Sequence, residues 1–476
     1  MKKYHVLFLL LLLCEISCSN NQPENSDETN IADSTTAITS STVTKDSFET
    51  GKIISNVVCK TDPSQSYALY LPSKYTSEKL PVIYFFDPHA DGTLPLKNYQ
   101  SLADAYGFIL IGSNNSKNGN DWPTTDKILN NLFTDTKNRL VFNTDRMYVC
   151  GFSGGAKVAS YAALHHNEIK EVIDGGAGLP DETPAGNFNF TFTGIAGKGD
   201  MNMTDLVVLN DELNKTQTRH RIIFFDGKHE WSPASVMSIA FTGLELDATK
   251  DKLIPKKDSL INAYIQASKK RLNDDAKAND LIKADEECKL SLNMLNDLSN
   301  ESNWFKDKDA SIISSAVYKQ QVQQQQSLFA IEQNKKAEYQ QQFQKGDINY
   351  WTATISDLHS KAKANTPEGE MYQRLVAYLS LAFYSISNNL INNNQNEAAQ
   401  YFVTLYKMDD ATNSEAWYFS AVLDARNNNA KAAEEDLMKA ADNGFNDVNR
   451  MMQQPEFQTL AGQINFAAIE AKIKKA

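Results

Sequence analysis

A serine hydroxyl, an imidazole and a carboxylate held in line can transfer an acyl group to water. Ser153 stands in the setting that this chemistry needs. It lies in Gly151-Phe152-Ser153-Gly154-Gly155, after the apolar run Met147 to Cys150 and before Ala156, Ala159, Ala162, Ala163 and Leu164 at helical spacing. A G-x-S-x-G between a strand and a helix is the nucleophile-elbow pattern. The chain reverses so tightly at the serine that Cβ atoms two positions away would clash, so both flanking residues are glycine. Such a turn lifts the hydroxyl above a sheet edge and aims the N–H of Gly154 at an incoming oxygen. A hydroxyl is a weak nucleophile alone, so a base and an acid must be found for it.

The elements around Ser153 decide where those partners can be. Ile53 to Cys59 and Tyr67 to Leu71 read as an antiparallel start, and Pro81 to Phe86 and Phe108 to Gly112 as buried strands. Glu171 to Ile173, Phe190 to Ala196 and Arg221 to Phe225 continue the series, with helical patterns at Leu96 to Ala105, Thr124 to Leu140, Leu206 to Lys215 and Ser235 to Leu246. Strands alternating with helices predict a mostly parallel sheet covered on both faces. Sites in such sheets sit at the carboxyl ends of strands. His165 and His166 lie at the far end of the helix after Ser153, His220 starts a strand, and His359 lies beyond the strand-rich region. His229, in Asp226-Gly227-Lys228-His229-Glu230-Trp231, follows a strand end and is the expected base. Asp200, closing Gly197-Lys198-Gly199-Asp200, is the expected acid, with Asp226 and Asp174 as rivals.

With these residues in place, the stretch 51–250 resembles the α/β-hydrolase superfamily. More narrowly it is similar to secreted esterases related to polyhydroxybutyrate depolymerases, feruloyl esterases and dienelactone hydrolase. The resemblance rests on GFSGG at 151–155, GKGD at 197–200, GKHEW at 227–231 and FFDPHADG at 85–92. The last stands where lipases carry an HGGG-type oxyanion loop, with Ala90 and Asp91 in place of glycines. Backbone donation needs no particular side chain, so the N–H of Ala90, or second that of His89, is expected beside Gly154 in an oxyanion hole. The resemblance implies ester hydrolysis through an acyl-enzyme on Ser153, Asp200 and His229, with no cofactor or metal. A peptidase or acyltransferase on the same triad, and a catalytically silent scaffold, are the alternatives. Only Leu179 to Asn189 is uncommitted between Ser153 and His229, so no lid domain fits there. The site is then open, suiting a bulky or polymeric ester as well as a small one, or covered from elsewhere in the chain. His89, Trp122 and Trp231 are its expected lining.

The rest of the chain supplies an address and an appendage. A net charge of −12 over 476 residues without a basic stripe argues against nucleic acid as a partner. Lys2 and Lys3 precede the apolar run Val6 to Leu13, too short to span a bilayer. Residues 1–18, ending Glu15-Ile16-Ser17-Cys18, resemble a bacterial lipoprotein precursor lipidated on Cys18, although Glu15 stands where an aliphatic residue is usual. This implies an extracytoplasmic protein that is either secreted or anchored, touching the membrane only through the lipid. Residues 19–50 read as a polar tether with too little apolar surface to order itself. Pro255 and a lysine-rich turn mark a boundary near 250, and 251–345, with its glutamine runs, reads as an exposed helical connector. In 346–476, Asn396-Glu-Ala-Ala399 recurs 34 residues later as Ala430-Lys-Ala-Ala433. With Trp417, Ala421, Leu437 and Ala440 this resembles tetratricopeptide repeats, which implies an all-α region with a concave surface for a protein partner.

Overall fold

The computed structural model describes residues 45–75 and 79–474. The leader, the Cys18 site and most of the expected tether lie outside the described residues. Eight strands form one sheet: β1 (Ile53–Val58), β2 (Ser66–Tyr70), β3 (Val82–Phe86), β4 (Ile109–Ser113), β5 (Met147–Phe152), β6 (Ile169–Gly175), β7 (Thr191–Gly197) and β8 (His220–Phe225). Their order is β1-β2-β4-β3-β5-β6-β7-β8, with β1, β2 and β4 pairing antiparallel and every other neighbour parallel. The chain passes from β3 to β4 on one side and returns to β5 on the other. A crevice therefore opens outside the carboxyl ends of β3 and β5, the point where such sheets bind ligands.

Helices α1 (Thr93–Tyr106), α2 (Trp122–Arg139), α3 (Gly154–His165) and α4 (Met203–Leu213) connect strands, and α5 (Ala234–Lys250) follows β8. Alternate strand residues point to opposite faces, and both faces are covered. Ile83, Phe85, Tyr148, Cys150, Ile173 and Ile195 pack with α1 and α5. Val82, Tyr84, Phe86, Met147, Val149 and Val172 pack with α2 and α3. Burial on both sides is why these strands are unbroken apolar runs and not alternating ones. Cys59, Cys150 and Cys288 are all free and buried.

The connector departs from its expected exposure. After α6 (Asp258–Lys277), α7 (Leu281–Leu295) and α8 (Ser302–Ser314) comes the long α9 (Ala316–Phe343). Ile261, Tyr264, Ile265, Leu272, Cys288, Met294, Leu295 and Phe305 join the same buried cluster as Phe85 and Ile195. Sparse apolar residues at helical spacing suffice here because the sheet and α5 provide the other half of the core. The chain thus continues to build the strand-bearing unit well past residue 250.

Helices α10 (Ile348–Lys361), α11 (Pro367–Asn392), α12 (Asn396–Asp409), α13 (Ser414–Arg426) and α14 (Ala430–Asp442) follow, and then α15 (Val448–Gln453), α16 (Pro455–Thr459) and α17 (Phe466–Ile473). They enclose a second core around Trp351, Phe383, Phe402, Tyr406 and Phe419. The 34-residue recurrence is geometric as well as sequential. Asn394 and Asn428 take left-handed φ values of 57° and 54° at equivalent turns, and Ala399 and Ala433 are fully buried on equivalent helices. Leu328 and Tyr339 of α9 belong to this second core while Phe329 packs on α4, so α9 ties the two cores together. No helix among the described residues is long and apolar enough to cross a membrane.

Candidate active site

Ser153 sits between β5 and α3 with φ 53° and ψ −122°. A Cβ on Gly151 would run into the Gly155 carbonyl and one on Gly155 into the Phe86 carbonyl, so only glycine fits at either position. A serine at a helix start ordinarily caps its own helix, but Ser153 makes no such bond. The strained turn aims its hydroxyl away from α3. Ser153 Oγ lies 3.0 Å from His229 Nε2.

His229 Nδ1 lies 2.9 Å from Asp200 Oδ2. A carboxylate only accepts, so Nδ1 carries the proton, and Nε2 accepts from the serine hydroxyl. Asp200 is fully buried, and its second oxygen accepts the Asn202 N–H at 2.9 Å. Phe152 lies beneath the imidazole, with ring centroids 4.7 Å apart. The structure thus brings Ser153, His229 and Asp200 into one hydrogen-bonded line at the carboxyl ends of β5, β8 and β7.

Asp174 and Asp226 do not join it. Asp226 bonds to Lys283 at the surface. Asp174 is buried behind α3, bonded to Ser160 Oγ at 2.5 Å. Burial pushes its carboxyl well above the usual range. A carboxyl raised in the folded state favours folding most below about pH 4, and that contribution is lost as the pH rises and the group resists ionising. Asp174→Asn is therefore expected to match the parent's unfolding midpoint near pH 4 and to exceed it increasingly toward pH 8. Its chemistry at Ser153 should be unaltered. Denaturant melts across this range check the prediction.

Several residues missed in the sequence complete the site. Gly176 has φ +63°, and a Cβ there would stand 2.8 Å from the Phe152 ring, 2.9 Å from Asp200 Oδ2 and 3.1 Å from His229 Cε1. The Asp-Gly-Gly ending of β6 was the available signal. Asn202 holds the Gly176 carbonyl through Nδ2 at 2.7 Å. Asp87, buried at the end of β3, accepts the His89 N–H at 2.8 Å and Trp231 Nε1 at 2.9 Å.

That carboxylate corrects the expected oxyanion loop. The Ala90 N–H donates to the Asp87 carbonyl at 3.1 Å, and Ala90 has φ 61°. With the His89 N–H on the Asp87 side chain, both expected backbone donors are spent closing the turn through Pro88. Gly154 is the first residue of α3. His89 is exposed beside this turn. Trp231 packs among Phe85, Tyr99 and Phe152 under the site. Trp122 instead stacks on Tyr161 at 4.3 Å, about 12 Å along α3 from Ser153 at the helical rise.

The β7–α4 loop that delivers Asp200 is braced by the C-terminal helices. Arg374 of α11 donates to the Lys198 carbonyl at 2.7 Å, and Gln373 packs so closely that a Cβ on Gly199 would meet its Oε1 at 2.5 Å. Arg374 is itself paired with buried Glu332 of α9 at 2.8 Å. Among the described residues no group of three or more His, Cys, Asp or Glu side chains is placed to hold a metal ion.

No family model and no curated protein matches the chain. Among solved structures it is similar to a hyperthermophilic esterase from Pyrobaculum calidifontis, at 11% identity over 38% of this chain and 78% of that one, with TM-score 0.32. A putative dienelactone hydrolase from Klebsiella pneumoniae matches at 15% identity over 38% of this chain and 88% of its own, with TM-score 0.30. Esterase 2 of Thermogutta terrifontis phosphonylated by sarin matches at 10% identity over 42% of this chain and 96% of its own, with TM-score 0.34. By its own strand order and connectivity, the chain carries a mostly parallel eight-stranded sheet of the α/β-hydrolase fold class, followed by a region of many helices.

Proposed function

We propose that the protein is a serine hydrolase acting on carboxylic esters, with Ser153 as nucleophile, His229 as general base and acid, and Asp200 as the orienting carboxylate. One observation carries this reading: a strained serine, aimed off its own helix, lies 3.0 Å from an imidazole whose other nitrogen is 2.9 Å from a buried carboxylate. Ser153 Oγ adds to the ester carbonyl carbon as its proton passes to His229 Nε2. Collapse of the tetrahedral oxyanion breaks the bond to the alkoxy oxygen, which leaves with that proton. Water repeats the sequence on the acyl-serine and releases the acid. Asp200 stabilises the imidazolium formed in each half. A peptide bond in place of the ester, or an acyl acceptor in place of water, would use the same groups.

The occupied amides of the Asp87 turn favour the competing reading of a silent scaffold. A fluorophosphonate probe separates the two. We expect covalent labelling of the full chain that vanishes in Ser153→Ala; an unlabelled parent would leave only the scaffold. The leader-like residues 1–18 support an extracytoplasmic chain that is either secreted or anchored through Cys18. The tetratricopeptide-like pair α11–α12 and α13–α14 supports a peptide or protein partner for the helical region.

A further inference from the structure

We infer that the side-chain amide of Asn118 is the second oxyanion donor, beside the Gly154 N–H; this rests on the acyl-transfer reading above. The Ala90 and His89 amides are committed to Asp87, the Asn202 amide to the Gly176 carbonyl, and Trp231 Nε1 to Asp87. Asn118 lies directly over Gly154. A Cβ added at Gly154 would collide with Asn118 Oδ1 and stand 3.5 Å from Nδ2. The Asn118 carboxamide is exposed and makes no hydrogen bond among the described residues.

The backbone of the loop after β4 is fixed beside Gly154, so the Asn118 side chain starts from a defined position. Asn118 N donates to the Pro88 carbonyl at 2.8 Å, and the neighbouring residue Lys117 forms an antiparallel bridge with His89. Asn120 Nδ2 closes the loop on the Asn115 carbonyl at 3.0 Å, and Ser113 Oγ accepts the Ser116 N–H at 3.1 Å. This also accounts for the third glycine of Gly-Phe-Ser-Gly-Gly. The elbow requires glycine at 151 and 155, whereas glycine at 154 makes room for Asn118. When Ser153 Oγ bonds to the carbonyl carbon, the π pair moves onto oxygen and the serine proton goes to His229. Asn118 Nδ2–H then donates a hydrogen bond to that oxygen and transfers no atom.

The test is hydrolysis of p-nitrophenyl acetate and fluorophosphonate labelling by the full chain, Asn118→Ala, Asn118→Asp, Gly154→Ala and the Asn118→Ala/Gly154→Ala pair. Removing one oxyanion donor lowers kcat by about 100-fold or more in comparable sites, so Asn118→Ala should fall by that factor with KM nearly unchanged. Asn118→Asp, which sets a carboxylate against the oxyanion, should fall at least as far. Gly154→Ala should reproduce the loss by displacing the amide, and the pair should be no slower than Gly154→Ala, as expected for two changes acting on one interaction. Melting temperatures should stay at the parent value, because the amide holds nothing in the fold. An Asn118→Ala variant with kcat within about twofold of an active parent, or one changed in KM alone, overturns the assignment. An inert, unlabelled parent overturns the hydrolase reading and this one with it.

Discussion

Asp200→Asn should lower kcat by about 10⁴-fold, the loss that follows when the imidazole is held in the wrong tautomer, while the protein stays folded. The geometry forces this outcome. The Asn202 N–H donates to Oδ1 of Asp200, so an asparagine must keep its oxygen on that side. Its NH2 then faces His229 Nδ1 in place of Oδ2. A donor there obliges Nδ1 to accept, the imidazole proton moves to Nε2, and Nε2 can no longer take the serine proton. His229→Ala should cost more, about 10⁶-fold, and the double variant little more than His229→Ala alone, because the triad acts as a unit. Steady-state rates beside an unchanged thermal melt decide it. Asp174→Asn, one strand over, should keep parental rates.

The largest expected loss of stability lies elsewhere, at Arg221. Its guanidinium is buried between Glu171 at 2.5 Å and Asp247 at 2.6 Å, with Nε on Thr193 at 2.8 Å. Asp247 has Lys250 at 3.1 Å as a further partner, but among the described residues Glu171 makes a salt bridge with Arg221 alone. Burial pushes the Glu171 carboxyl up and Arg221 opposes that rise. Arg221→Met keeps the volume and removes the charge, leaving a buried carboxylate uncompensated. Breaking such a pair costs about 3–5 kcal/mol. Without its cation Glu171 takes up a proton in the folded state more readily than in the unfolded chain, so the deficit should shrink as the pH falls toward 4 and widen toward 8. Urea unfolding at both ends of that range measures it.

The strand series and the alignment of Ser153, His229 and Asp200 were legible because each rests on local chemistry. Unbroken apolar runs mark strands buried on both faces, and the rule that sites gather at carboxyl ends left His229 and Asp200 as natural partners for Ser153. The oxyanion loop was not legible. The His89 amide is drawn to the Asp87 carboxylate, which Trp231, far along the chain, also holds from across the site, and the Ala90 amide closes on the Asp87 main-chain carbonyl. Gly176 and Asn118 were invisible for the same reason, since their neighbours come from other loops. The connector was misjudged because its few apolar residues look inadequate until the sheet supplies their counterpart. Trp122 shows the reverse error: a large exposed ring near a loop is drawn to Tyr161, which no short-range pattern announces.

The contact between Arg374 and the Lys198 carbonyl gives the helical array a part in fixing the Ser153–His229–Asp200 geometry. The carboxylate behind the imidazole hangs from a loop whose outer flank is buttressed by α9 and α11, so the appendage works as scaffolding for the rim it leans on. A chain trimmed to its sheet-bearing unit would lose that buttress, and recombination could not exchange the array for an unrelated one without re-seating Asp200.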